Sequence, residues 1–244
     1  MLSCVSETGS ATYKASFRFE DDYIDKKESF SNKKALLAIS VGQPYHENGK
    51  LMATINLLNK HAFEQCDIVV GDTLQRYNYY GKMSEKEALS HCYQQGEDWL
   101  KRNGSSLAKL KIPHSIIRWN ELLAHENYEK YKNKIVKAYH NECQYKSALH
   151  SNVERYIERL QDLNPELGQD VLFSFGLGYL LEETPIIMPL WAEMGYDYIV
   201  YPKPLTVGMA KTRELFVEGK FENKCQWVSL RFKKKSQNTS TNVL

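Results

Sequence analysis

Four groups of residues in this 244-residue chain have types and spacings that could do chemistry. The first centres on Ser40, which ends the apolar run 35–39 in "ALLAISVGQPYHENGKL". A hydroxyl placed where Gly42 and Pro44 turn the chain away can satisfy turn backbone groups, or it can point into a cleft as a nucleophile. The stretch misses a Gly-x-Ser-x-Gly elbow by one residue, Ala38 standing where the first glycine belongs. That elbow also needs strand, turn and helix with almost no loop, whereas Pro44 and Asn48-Gly49 separate Ser40 from the next helical pattern. The second group is "GYLLEETP", 178–185, in which Tyr179 and Glu183 share a helix face four residues apart and Glu182 points elsewhere. A phenol and a carboxylate so placed can hold an ammonium group or exchange a proton with it, and they also fit an ordinary pair on a helix end. In the third, "CDIVVGDTLQRYN", Asp72 ends a buried strand ahead of Gln75, Arg76, Tyr77 and Asn78. It can cap the next helix or help shape a polar pocket. The fourth comprises Lys101, Arg102, Lys109, Lys111 and Arg118 with Trp99 and Trp119 interleaved. It reads either as a phosphate-contacting patch beside an aromatic surface or as lysines on solvated helices, diluted by Glu97 and Asp98.

The elements that must position these groups follow from periodicity. Runs at 35–40, 67–72, 114–119 and 197–202 are apolar and rich in β-branched residues, as buried strands are, while 226–232 alternates and is expected as an edge strand. Leu51, Ile55, Leu58 and Ala62 form one helical stripe. Ser84 with Glu87 matches a capping box opening a helix to about Arg102, where Asn103-Gly104 ends it. One or two long helices are expected over 120–163, with others over 172–183 and 209–217. Strands alternating with helices predict an α/β fold with a mainly parallel sheet covered on both faces. In such sheets ligands collect at the carboxyl ends of the strands, where Ser40, Asp72 and Tyr201 fall.

A chain of this length can bury one sizeable core, so a single domain is expected over 33–232, with an arm or edge segment over 1–32 and a basic tail over 233–244. The formal net charge of +2 lacks the excess of a protein coated in nucleic acid, so a polyanion partner must meet a local patch. The five cysteines are scattered singly with no clustered histidines, which argues against a disulfide framework or a metal site. No signal-peptide pattern opens the chain and no contiguous apolar run reaches the length of a membrane span, so a cytoplasmic protein is expected.

Taken together, the Ser40 loop "ISVGQPYHENGKL", "VGDTLQRYN", the Tyr179-x-x-x-Glu183 helix with Pro185 after it, and "YIVYPKP" resemble the cyclodipeptide synthase family in order and spacing, over roughly 33–232. The resemblance implies a Rossmann-like fold similar to the catalytic domain of the tyrosyl and tryptophanyl tRNA synthetases. It implies an activity that joins the aminoacyl groups of two aminoacyl-tRNAs into a 2,5-diketopiperazine, without a cofactor. Ser40 matches the family nucleophile, Tyr179 and Glu183 the pair that holds the α-amine, and Tyr201 a tyrosine of the active-site wall. Gln43 stands where one subfamily has Asn, and Pro202 follows Tyr201, a combination that resembles the other subfamily, called XYP. The first aminoacyl pocket is expected among Leu36, Ala38, Val69, Gly71 and Ile199. The tRNA-contacting helix corresponds to 84–102, so Lys101, Arg102, Lys109 and Lys111 are the expected phosphate contacts. Aminoacyl-tRNAs are the expected partners, with neither DNA nor membrane, and the enzyme is expected to work as a monomer. A non-catalytic tRNA-binding module and an ordinary serine esterase remain the other accounts that the sequence allows.

Overall fold

Seven residues, "KALLAIS", make the strand on which the fold is organised. Parallel strands need both faces covered, and Leu36 and Leu37, neighbours pointing to opposite faces, are both fully buried. The structure is a computed structural model that describes residues 11–19, 30–222 and 225–235. Six strands, β1 (Tyr13–Phe19), β2 (Lys34–Ser40), β3 (Gln65–Gly71), β4 (Ile116–Arg118), β5 (Tyr198–Tyr201) and β6 (Gln226–Lys234), form one sheet in the order β1-β6-β5-β2-β3-β4. All neighbours are parallel except β1, which runs antiparallel to β6.

The helices divide between the two faces. Ala35, Leu37, Ile39, Ile68 and Val70 pack beneath α1 (Asn48–Lys60) and α2 (Glu85–Leu107). Leu36, Val69 and Ile199 face the other layer, built from α3 (Trp119–Leu123), α4 (Tyr128–Asn141), α5 (Cys143–Leu163), α6 (Gln169–Pro185), α7 (Trp191–Glu193) and α8 (Val207–Phe216). The α/β Rossmann-like expectation therefore holds, and the chain order reverses between β2 and β5, which makes the gap between their carboxyl ends the switch point of the sheet.

Several boundaries differ from the sequence reading. The segment β6 is internal, because Gln226 to Leu230 are buried between β5 and β1, and β1 is the edge strand on that side of the sheet. It alternates half-buried Tyr13, Ala15, Phe17 and Phe19 with exposed Lys14, Ser16 and Arg18, a period-two pattern within the stretch expected as an arm or edge segment. Of that stretch, 1–10 and 20–29 lie outside the described residues, as do 236–244 of the expected tail. The capping box at Ser84 is present, but α2 continues to Leu107. Asn103 is held in the helix by donating its side-chain amide to the Trp99 carbonyl, 3.1 Å away. Helix α6 continues through a π-helical segment, Ile186–Leu190, into α7. By length and composition the span Gln169–Glu193 could cross a membrane, which a search for uninterrupted apolar runs misses because Glu182 and Glu183 break it. Half of its most apolar window is buried in the fold, and it carries buried Glu182 in an ion pair with Arg76.

Candidate active site

Ser40 is the last residue of β2, and its carbonyl accepts a hydrogen bond from the Gln43 N–H (3.3 Å), closing a four-residue turn. Gly42 occupies the third position with φ of 86°, a left-handed conformation that favours glycine. The backbone makes this turn, which leaves the Ser40 hydroxyl for other work. Its Oγ lies 3.0 Å from the Tyr201 hydroxyl at the end of β5, so the hydrogen bond spans the switch point. The 3₁₀ turn Pro44–His46 brings a third hydroxyl, Tyr45, to 3.0 Å from that of Tyr201. Behind them His46 is buried, and burial lowers its pKa to about 3, so the imidazole is neutral at physiological pH. Its carbonyl accepts from the Trp99 indole N–H (3.1 Å), which ties the loop to α2.

These hydroxyls open on a cavity of about 570 Å³. Ala38, Val69 and Gly71 form its strand wall, Gln43 and Tyr45 its loop, and Tyr179 and Glu183 of α6 face it from the helical layer. The Tyr179 hydroxyl points to Glu183 Oε1 at 3.4 Å, so the i, i+4 pairing expected from the sequence forms. Among the described residues no histidine lines the cavity, so Ser40 lacks the imidazole that a triad hydrolase needs there.

Not every expected lining residue reaches the cavity. Leu36 and Ile199 share a face with Ala38 and Tyr201 but sit two residues deeper, fully buried under the helical layer. Strand alternation assigned their face correctly and said nothing about their depth. Pro202 is half-buried outside the lining. The basic residues also separate. Arg102 pairs with Glu47 (2.8 Å) at the start of α1, beside the Ser40 loop, with exposed Lys101 next to it. Lys109 and Lys111 are fixed through their backbones to Asn59 at the far end of α1. That 13-residue helix is about 20 Å long and links the carboxyl end of β2 to the amino end of the parallel β3, so the two pairs lie toward opposite ends of the strands. Arg118 is buried against Asp72 and also pairs with Glu97, while Trp99 and Trp119 are buried, so they make no exposed aromatic patch.

The sequence reading missed Tyr45 and a wall from α5 comprising Asn152, Arg155 and Tyr156. Nothing in local periodicity singles these out, but the "VGDTLQRYN" stretch explains how the wall is seated. Asp72 caps the 3₁₀ turn Thr73–Asn78 by accepting from the Thr73 N–H (2.7 Å). Gln75 donates to the Gly71 carbonyl (3.3 Å) and accepts from Asn78 (3.0 Å), and Asn78 in turn accepts from the Tyr156 hydroxyl (2.6 Å). The Tyr156 ring then lies 4.9 Å from that of Tyr179. Asp72 thus serves as both cap and ion-pair partner, and the polar residues after it shape the pocket.

No family model matches the chain, and no curated protein does. Solved structures do. One of a CDPS, a cyclodipeptide synthase, from Fluoribacter dumoffii is 32% identical, with a TM-score of 0.84 over 92% of this chain and 100% of that one. A cyclodipeptide synthase from Candidatus Glomeribacter gigasporarum, solved bound to Phe-tRNAPhe, is 20% identical with a TM-score of 0.71, covering 88% of this chain and 94% of that one. A Mycobacterium tuberculosis protein, solved in work relating cyclodipeptide synthetases to type I tRNA synthetases, shares the fold at 12% identity and a TM-score of 0.62, over 85% of this chain and 88% of that one. With close to one residue in three shared along the whole of the Fluoribacter enzyme, and a serine at the switch point of the same fold, this chain belongs to the cyclodipeptide synthase family.

Proposed function

We propose that this enzyme transfers the aminoacyl group of one aminoacyl-tRNA to Ser40 and joins it to a second aminoacyl group as a cyclic dipeptide. The observation that carries the reading is the Ser40–Tyr201 hydrogen bond at the mouth of a cavity shared with Tyr179 and Glu183. An aminoacyl-tRNA is an activated ester, so a serine without a histidine partner faces an easier transfer than with an amide. Tyr201 accepts a hydrogen bond from Ser40 as the hydroxyl attacks, and Tyr45 steadies the Tyr201 phenol from its other side. A vicinal ribose hydroxyl of the tRNA takes part in moving the proton. The ester bond to ribose breaks as the bond to Ser40 Oγ forms, and the tRNA leaves with its 3′-terminal hydroxyl restored.

Tyr179 and Glu183 hold the α-ammonium of the aminoacyl-enzyme. For the second step that amine must lose a proton, and Glu183, the carboxylate among the described lining residues, serves as the base. The free amine attacks the second aminoacyl ester and yields a dipeptidyl-enzyme. Its own terminal amine then attacks the Ser40 ester, closing the six-membered ring and releasing the serine. Ala38 and Gly71 leave room for the first side chain, and the exposed Lys101 and Arg102 pair is placed to meet phosphates near the cleft. Gln43 on the cavity wall and the Tyr201-Pro202 pair support an assignment to the XYP subfamily.

Mass spectrometry of medium from bacteria expressing the wild type and the Ser40→Ala variant tests this reading. Diketopiperazines are expected with the wild type and absent with the variant. Equal amounts from both, with both proteins soluble, would exclude Ser40 as the acyl carrier.

A further inference from the structure

Two buried carboxylates pair with arginines among the described residues, and they do different things. Asp72 and Arg118 join the end of β3 to the end of β4 and to α2, away from the reacting groups. Glu182 and Arg76 join the 3₁₀ turn Thr73–Asn78 to α6, one residue from Glu183. Successive helical residues are rotated by about 100°, so a carboxylate locked at 182 sets where 183 points.

Glu182 is locked on both oxygens. Oε1 accepts from Arg76 Nη1 (2.7 Å) and from the Trp119 indole N–H (3.0 Å). Oε2 accepts from Arg76 Nη2 and from the Tyr77 hydroxyl (3.1 Å). Arg76 is held in turn, donating to the Thr73 carbonyl (3.0 Å) and to the Tyr80 hydroxyl (2.9 Å). Burial works against its charge, yet Glu182 together with Tyr77 and Tyr80 more than offsets this and the guanidinium pKa is raised. Tyr77, fixed by Glu182, packs edge-on against Tyr179 at 6.0 Å between ring centroids. The approach is close enough that a Cβ on Gly178 would meet Tyr77 Cε1 at 2.9 Å.

We propose that Glu182 is a positioning residue for recognition of the substrate α-amine, fixing the rotation of α6 through Arg76 and the seat of Tyr179 through Tyr77. The proposal rests on the reading of Tyr179 and Glu183 as the amine-holding pair. It predicts a defect specific to the amine, because Glu182 is not among the residues that line the cavity and reaches it through Tyr77 and the rotation of α6.

The test is single-turnover acylation of Ser40 by an aminoacyl-tRNA and by the same tRNA charged with the matching α-hydroxy acid, which differs only at the amine. The wild type is expected to prefer the amine. Glu182→Gln and Tyr77→Phe are each expected to cut that preference by about tenfold or more, since small displacements of catalytic groups carry large penalties, while the hydroxyacyl rate changes little. The double variant Arg76→Met/Glu182→Met separates positioning from stability. Apolar replacement of a buried pair restores stability that a single change loses, so its melting temperature should exceed that of Glu182→Gln while the amine preference stays lost. Equal losses with both substrates, or a wild-type preference in Tyr77→Phe and in the double variant, would overturn the proposal. Glu183→Gln is measured alongside. If it keeps the wild-type preference, the amine-holding reading itself fails and takes this proposal with it, whereas a lost preference there and a retained one in the Glu182 variants fails this proposal alone.

Discussion

The two faces of the central sheet use the same strands for opposite purposes. On one, Leu37, Ile39, Ile68 and Val70 continue to the strand ends and are sealed by α1 and α2. On the other, Leu36 and Ile199 are sealed at mid-strand, but the side chains then shrink or turn polar, to Ala38, Gly71, Ser40 and Tyr201, and the helical layer stands away to leave the cavity. The closed face carries stability and the open face chemistry. The change from one to the other on the open face takes two residues of β2.

If that division is right, changes on the open face should strike activity with little effect on folding, and changes on the closed face the reverse. The largest effect after loss of Ser40 is expected for Glu183→Gln, which should slow cyclic dipeptide formation by about 10² to 10⁴-fold with an unchanged melting temperature, read by product assay and calorimetry. On the closed face, Leu37→Ala should cost about 2–5 kcal/mol in denaturant unfolding, while turnover per folded molecule stays near wild type. A large fall in that turnover would mean that the faces are coupled. Tyr201→Phe should slow Ser40 acylation by about tenfold, because it removes the hydroxyl bonded to Ser40 and Tyr45 but keeps the ring packed on Trp227. The last effect, confined to acid pH, concerns His46. Its pKa is lowered on folding, to about 3 from 6.5, so the unfolded chain binds more protons between those values and stability must fall as pH drops through that window. His46→Phe should flatten that part of the stability profile, and an equally steep profile would show that other groups set it.

Much of the site was legible because its residues end strands, and strand ends can be found from apolar runs. Strand ends placed Ser40 and Tyr201 and helical periodicity paired Tyr179 with Glu183, but both patterns also fitted structural roles, and only the family resemblance joined the four residues into one site. What stayed hidden depends on contacts across the sequence. Leu36 and Ala38 look alike by alternation, and the helices laid over them decide which is a core residue and which a wall. Lys109 and Lys111 follow Arg102 closely in sequence, yet they sit toward the opposite end of the strands. Glu182 was expected to point away from the Tyr179–Glu183 face, as it does, but its arginine lies 106 residues earlier. No local pattern supplies that partner.

The sheet closes with a pairing between chain segments far apart, Tyr13 opposite Lys234. Strand β6, which must be in place for that pairing, also brings Trp227 to the cavity wall, where its indole N–H bonds the Lys203 carbonyl (2.9 Å). A ribosome releases β1 long before β6, so β1 waits for all the elements between them before it can dock. The pocket that consumes aminoacyl-tRNA is therefore complete only once β6 is in place. A nascent chain that still lacks β6 has no finished wall with which to draw on the aminoacyl-tRNA used for its own synthesis.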